Sequence, residues 1–356
     1  MKVRVIPSDM GGCGWYRLRW VAAALADQGA DVEIAESVAA YYAPTRDGEV
    51  LVDVPPFEAD VAVFQRVFTP DHLQIMQLLH KQGVAIVVDV DDDFYAMSPH
   101  HVTYASLHPA TGGDSWAVLR ETVKLADVVT VSTPALARKY NGVVIENCVP
   151  RAYLDIPPGA REGPPVIGWT GTPWLHPGDL EVVGTAVADV CSTGTPPIAA
   201  FRAIGAPATL DVLGVPDQQH QPGLDLASFN YARAVANLDV GIVPLCDSAF
   251  NEAKSWLKGL EYAALGVPFV ASPVAEYVRL LELGAGITAV RPREWRSRLR
   301  WLAELSEDRA NLADIGRRIA ANLTIEGTMA PQAWDAWQAA ARINSRRGDR
   351  WLTAPL

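Results

Sequence analysis

The run Val84–Val90, VAIVVDV, is apolar on both faces of any strand it forms, and such a strand persists only in a sheet covered on both sides. It has company on either side. KVRVIP (Lys2–Pro7), DVEIAE (Asp31–Glu36), ADVAVFQ (Ala59–Gln65), ADVVTVS (Ala126–Ser132) and VVIEN (Val143–Asn147) read as further strands. Helical patterns fall between them, at Tyr16–Gln28, closed by Gly29, and at Asp71–Gln82. Strands alternating with helices predict a doubly wound α/β sheet. The Pro- and Gly-rich run VPRAYLDIPPGAREGPP interrupts the pattern, and PVIGWTG opens a second alternation through LDVLGV, LDVGIVPL and PFVAS. The predicted organisation is an N-terminal Rossmann-like domain over residues 1–150 and a linker over 151–164, then a second Rossmann-like domain over 165–328. A final helix, centred on Pro331–Ile343 within residues 329–356, is predicted to pack back on the first domain. The 356 residues, 49% of them hydrophobic, suffice for two cores. Ligands of such sheets bind outside the C-terminal ends of the strands.

A formal net charge of −11 argues against general nucleic-acid binding but not against a nucleotide, which local lysines decide. Cys13, Cys148, Cys191 and Cys246 are far apart and form no metal or disulfide pattern, so a reducing cytoplasm is the expected compartment. The opening MKVRVIPSDM lacks a signal-peptide core, and no apolar run approaches the ~20 residues of a membrane span. Arg291, Arg293, Arg296, Arg298 and Arg300, with Arg346, Arg347 and Arg350, make the C-terminal end locally basic. That leaves a weak contact with an anionic membrane surface open beside the simpler reading, a solvated helical face.

Chemistry concentrates in Phe250–Ser272, FNEAKSWLKGLEYAALGVPFVAS. Read as one helix, it puts Ala253, Trp256, Leu257, Leu260 and Ala264 on a core stripe and Lys254, Lys258 and Glu261 along another edge. Asn251 is the predicted N-cap, Gly266 the C-cap, and Pro268 ends the helix before a short strand. Two lysines near a helix N-terminus and a carboxylate beyond suit a ligand with phosphates at one end and sugar hydroxyls at the other. An exposed Lys/Glu face on an ordinary amphipathic helix has the same spacing.

This segment resembles the donor-sugar helix of GT-B glycosyltransferases, particularly the retaining group with an E-x7-E signature. Glu261 matches the second Glu, which binds ribose in that family, and GVPFVAS (Gly266–Ser272) matches the tail. The first Glu is replaced by Ala253, which leaves the usual contact to the donor sugar unassigned. A subgroup reading F-N-x-A-K-S-x-x-K-x-L-E-Y is followed closely, which assigns Lys254, Ser255 and Lys258 to the donor. IGWTGTPWLHPGDL (Ile167–Leu180) is similar to the subgroup's loop over the donor diphosphate. There Gly171 gives close backbone approach, Thr172 a hydroxyl, His176 a bond to phosphate or sugar, and Asp179 a helix cap. The opening GCGWYRLRW is similar to that of compact relatives from actinobacteria and phages.

Two features of the first half complete the candidate set. MGGCGWYRLRW (Met10–Trp20) follows a strand and opens a helix, but Arg17 stands where a dinucleotide fingerprint needs its third glycine. By resemblance, Gly12, Gly14 and Arg17 belong to a loop for acceptor or donor phosphate. DVDDDFY (Asp89–Tyr95) ends the apolar strand, and strand-end aspartates serve as bases or metal ligands. The metal-binding D-x-D of GT-A enzymes is set aside, because the surroundings resemble the metal-independent class; Asp91 or Asp92 is the acceptor-side candidate.

The resemblance thus implies a metal-independent transferase with no cofactor, moving a sugar from a nucleotide-diphosphate sugar to a hydroxyl of a protein, glycan, lipid or small molecule. It favours retention, with Lys254 countering charge on the leaving diphosphate. A nucleotide-sugar epimerase of the same fold, or a non-catalytic binding or scaffold protein, remains compatible with the same residues.

Overall fold

The computed structural model describes residues 1–46, 48–111, 114–159 and 162–352. Ala160 and Arg161 of the Pro/Gly-rich run, and the side chains of Arg347 and Arg350, lie outside the described residues. The chain divides into two compact units. One comprises Met1–Tyr95, Thr103–Asn147 and Ile325–Leu356; the other comprises Ala96–Val102 and Cys148–Thr324.

The first unit holds strands β1 (Lys2–Ile6), β2 (Asp31–Ile34), β3 (Tyr41–Thr45), β4 (Gly48–Asp53), β5 (Val61–Gln65), β6 (Ala85–Val90), β7 (Val128–Val131) and β8 (Val143–Val144). Six of them form a sheet in the order β2-β1-β5-β6-β7-β8, with every pairing parallel. Every residue of β5, β6 and β7 is buried, as continuous apolar strands require when both faces are covered. Between β5 and β6, Thr69 caps the helix Pro70–Lys81 by accepting from His72 N, Pro70 fits its first turn, and Ile75, Met76 and Leu79 face inward. β3 and β4 form a separate antiparallel hairpin, which the sequence reading passed over. The helix Ala330–Leu352 packs on β5, β6, β7 and the helix Trp20–Asp27, burying Ala333, Trp337 and Ala340 at helical spacing.

The second unit holds β9 (Val166–Gly171), β10 (Ala200–Gly205), β11 (Gln219–Gln221), β12 (Val240–Val243), β13 (Phe269–Ala271) and β14 (Ile287–Thr288). They pair in parallel in the order β11-β10-β9-β12-β13-β14, doubly wound like the first sheet but with three strands rather than two before the reversal. Trp169, Phe201, Trp295 and Leu299 anchor a core between this sheet and its helices. LDVLGV is not a strand here. Ala208–Val212 is helical, and Leu210 and Leu213 are buried three apart, a helical spacing; the strand is AFRAIG upstream.

In each sheet the winding reverses once, between β1 and β5 in the first and between β9 and β12 in the second. Loops leaving the C-terminal ends of those strands diverge and open a crevice.

Candidate functional site

The second unit's switch point is tied shut by one carboxylate. Asp179, 2% exposed, lies in the loop after β9 and reaches the loop after β12. Its Oδ1 accepts from Cys246 N at 2.9 Å and from Asn251 Nδ2 at 2.6 Å, while Oδ2 lies 3.2 Å from His176 Nδ1. Burial alone would raise this carboxyl, but bonds from His176, Cys246 and Asn251 hold it below the usual range. Asp179 therefore caps no helix, and its partner Asn251 is no N-cap.

This knot changes the helix expected over Phe250–Ala264. Asn251–Ala253 form a single 3-10 turn, Lys254 is extended (φ −67°, ψ 137°), and the α-helix runs from Leu257 to Ala264. Burying Asn251 against Asp179 takes that residue out of helical continuity. Trp256 supplies no side-chain cap, and in the first turn the backbone of Lys258 and Gly259 meets the buried Tyr277 hydroxyl.

The donor-side candidates meet around Trp169. Lys258 Nζ lies 4.4 Å from the indole centroid, and the His176 ring stands edge-on to it at 5.8 Å. At Gly171 (φ +139°) a Cβ would sit 3.0 Å from the indole and 3.4 Å from Lys258 Nζ, so a side chain would crowd both. Burial, reinforced by Lys254, pushes Lys258 down to about 8 although Glu261 and Asp179 draw it up. Burial, then Lys258, pushes His176 down to about 4 despite its bond to Asp179. Lys254 is half-buried, its Nζ 4.3 Å from the Phe250 ring, and Ser255 and Thr172 are also half-buried. Glu261, 5% exposed, accepts from Tyr231 Oη at 2.9 Å. That hydroxyl lies 3.2 Å from Thr170 Oγ1, and burial followed by the Glu261 charge pushes it well up. Trp169 and Tyr231 were missed in the sequence because an aromatic residue in an apolar stretch reads as core.

The remaining candidates sit at the first unit's sheet edge, in different roles. Arg17 is 3% exposed and forks onto Asp89 (3.0 and 2.6 Å), while Nη1 donates to Ile145 O and Asn147 Oδ1. It braces the sheet from inside. Gly11 N and Gly14 N both donate to Asp9 Oδ1, at 2.8 and 3.1 Å. A Cβ at Gly14 would lie 2.0 Å from Asp9 O, so this glycine serves a tight turn, whereas Gly12 is exposed with open space around it. Two of the loop's N–H donors are thus engaged by the chain's own carboxylate and Arg17 is engaged inside the unit, which counts against the phosphate role expected for Gly14 and Arg17.

Asp91 is buried and accepts both branches of Arg66 at 2.6 and 2.8 Å; Arg66 Nη2 also reaches Asp92 Oδ2 at 3.1 Å. Burial alone would raise the Asp91 carboxyl, but the guanidinium holds it below the usual range, a poor setting for a base. Asp92 is half-buried. Arg66 adopts a left-handed backbone (φ +50°) at the switch point, a conformation that costs energy outside glycine. Among the described residues no group of three or more His, Cys, Asp or Glu is placed to hold a metal ion.

Two doubly wound parallel sheets are the GT-B fold, and solved structures of that fold superpose on the chain. HepE of Anabaena, crystallised with UDP, is 14% identical, covers 99% of this chain and 100% of its own, and gives a TM-score of 0.55. WaaG, a glycosyltransferase involved in lipopolysaccharide biosynthesis, is 13% identical over 95% of this chain and 99% of its own, with a TM-score of 0.55. A glycosyltransferase from Rickettsia africae is 12% identical over 99% and 98%, with a TM-score of 0.57. At these identities the likeness is one of fold. No protein-family model and no curated protein matches the chain. Among the described residues no helix is long and apolar enough to cross a membrane.

Proposed function

We propose that this chain is a glycosyltransferase that takes a sugar from a nucleotide-diphosphate sugar and transfers it to a hydroxyl acceptor, without a metal and with retention of configuration. The observation that carries the reading is the Asp179–Asn251 bond, which holds the Gly171–His176 loop and the Lys254 segment together at a switch point. Lys258 and Lys254 then both act on this loop at His176, where an anion would lie. HepE has been crystallised with UDP and with UDP-glucose, which makes UDP-sugars the first donors to try.

In this reading Lys254 and Lys258 stabilise charge that builds on the leaving diphosphate, and such preorganised charge is often the largest catalytic contribution. A diphosphate also favours the charged form of Lys258, offsetting the burial that pushes it down to about 8. Gly171, Thr172 and Ser255 line the phosphates, and Glu261, braced by Tyr231, is assigned to the ribose hydroxyls. No protein nucleophile is required, because the leaving diphosphate can take the acceptor's proton on the face where the new bond forms. On the acceptor side Asp92 is favoured over Asp91, which Arg66 already engages. The resemblance of this segment to the F-N-x-A-K-S-x-x-K-x-L-E-Y subgroup supports this assignment of the lysines.

The test is thermal stabilisation by UDP-, GDP- and ADP-sugars with and without EDTA, followed by product analysis. A ligand at a hundredfold excess over its Kd should add about 2.7 kcal/mol of stability. The reading fails if no nucleotide sugar raises the melting temperature, or if EDTA abolishes the shift.

A further inference from the structure

We propose that His176 is a proton-accepting member of the diphosphate site, neutral in the ligand-free protein and taking one proton from solvent as a nucleotide-diphosphate sugar binds. It then becomes the third positive group beside Lys254 and Lys258. The inference rests on the donor reading above and adds to it the charge state and role of one residue.

Geometry fixes the tautomer. Asp179 Oδ2, part of a carboxylate that accepts from three groups, lies 3.2 Å from Nδ1, so Nδ1 carries the hydrogen of the neutral ring. Nε2 is then a bare lone pair, and it has no hydrogen-bond partner among the described residues. Beside the ring the Trp169 indole carries Lys258 Nζ on its face, so imidazole and ammonium share one aromatic wall.

The charged and titratable groups facing His176 come from three elements. Asp179 lies on its own loop; Cys246 and Lys254 follow β12; Lys258 is on the helix beyond. Asp179 favours a proton on the ring, whereas burial and the two lysines oppose it. A pyrophosphate diester carries two negative charges, which reverses the balance felt by Nε2. A third permanent cation would be costly here, since Lys258 is already pushed down by burial and by Lys254. A histidine brings its charge only with the ligand. Donor affinity should therefore fall as pH rises through the titration of the ligand-bound ring.

The experiment is titration calorimetry with UDP-glucose, GDP-mannose and ADP-glucose at about pH 6.5, in two buffers of different ionisation enthalpy. Both phosphates of these diesters are fully ionised there, and Lys258 already carries its proton, so proton uptake reports the imidazole. The expected result is uptake of about one proton per ligand, absent in His176→Gln, whose affinity drops on the order of tenfold. A parallel NMR titration of the wild-type imidazole, with and without ligand, reads the same event without a variant. Binding without uptake overturns the proposal, as does uptake that survives in His176→Gln or an imidazole whose titration the ligand does not move. Failure of all three sugars to bind overturns the donor reading itself and this inference with it.

Discussion

The Asn251 amide donates to the Asp179 carboxylate at 2.6 Å across 72 positions of sequence, and the loops that follow β9 and β12 are joined through that contact. Asp179→Asn would set an amide among donors. The expected result is a loss of about 1–3 kcal/mol in denaturant unfolding, from buried donors left unpaired. Because the wild-type carboxyl is held low, its contribution is present above the unfolded value of about 3.9 and disappears as pH falls through the folded one. The variant should lack that acid sensitivity.

Lys258 and His176 are both pushed down in the ligand-free fold, so between folded and unfolded values the unfolded chain binds more protons. Stability should therefore rise with pH between about 4 and 6.5 through His176, and between about 8 and 10.5 through Lys258. Unfolding curves of His176→Gln and Lys258→Met should each lose one of these windows. Lys258→Met is expected to be more stable than wild type at pH 7, by on the order of 1–2 kcal/mol, while binding nucleotide sugars less well.

Lys254→Ala and Glu261→Ala should separate kinetically. Loss of a charge that acts on the departing diphosphate lowers kcat, by on the order of a hundredfold or more. Loss of the ribose partner raises KM with a smaller effect on kcat. Steady-state kinetics with one donor series decide it, and equal losses in kcat with unchanged KM would contradict the division.

At the other sheet edge, Arg66→Ala leaves Asp91 buried without its partner, at a cost of about 3–5 kcal/mol, and adding Asp91→Asn should recover part of it. Asp92→Ala should leave stability within about 1 kcal/mol of wild type and lower transfer. A double-mutant cycle measured by urea unfolding, set beside transfer assays, tests both.

Arg17→Ala should unfold more readily, not lose substrate affinity selectively, because its guanidinium engages Asp89, Ile145 and Asn147 inside the unit. A wild-type melting temperature in this variant would refute that role.

The strands that read most clearly from sequence were those whose burial is complete, such as β5, β6 and β12, because an apolar run leaves a strand little alternative. β10 was missed because Arg202 breaks its apolar run, and the LDVLGV helix was mistaken for a strand because short apolar stretches suit either period. Lys254, Lys258 and Gly171 were visible through motif spacing. The break at Lys254 was not, since it depends on Asp179, a partner that local propensity does not register. Arg66 gave no signal either: its importance lies in a left-handed backbone and an ion pair, both products of the tertiary structure.

The Asp9 carboxylate, folded back onto Gly11 N and Gly14 N, acts as a tethered decoy. A free phosphate approaching that loop must displace a competitor that never diffuses away. Each of the two doubly wound sheets sets a loop at a switch point where an anion could lodge. In the first, this aspartate already holds two backbone donors, so charge of its own sign arriving there meets a rival supplied by the fold itself.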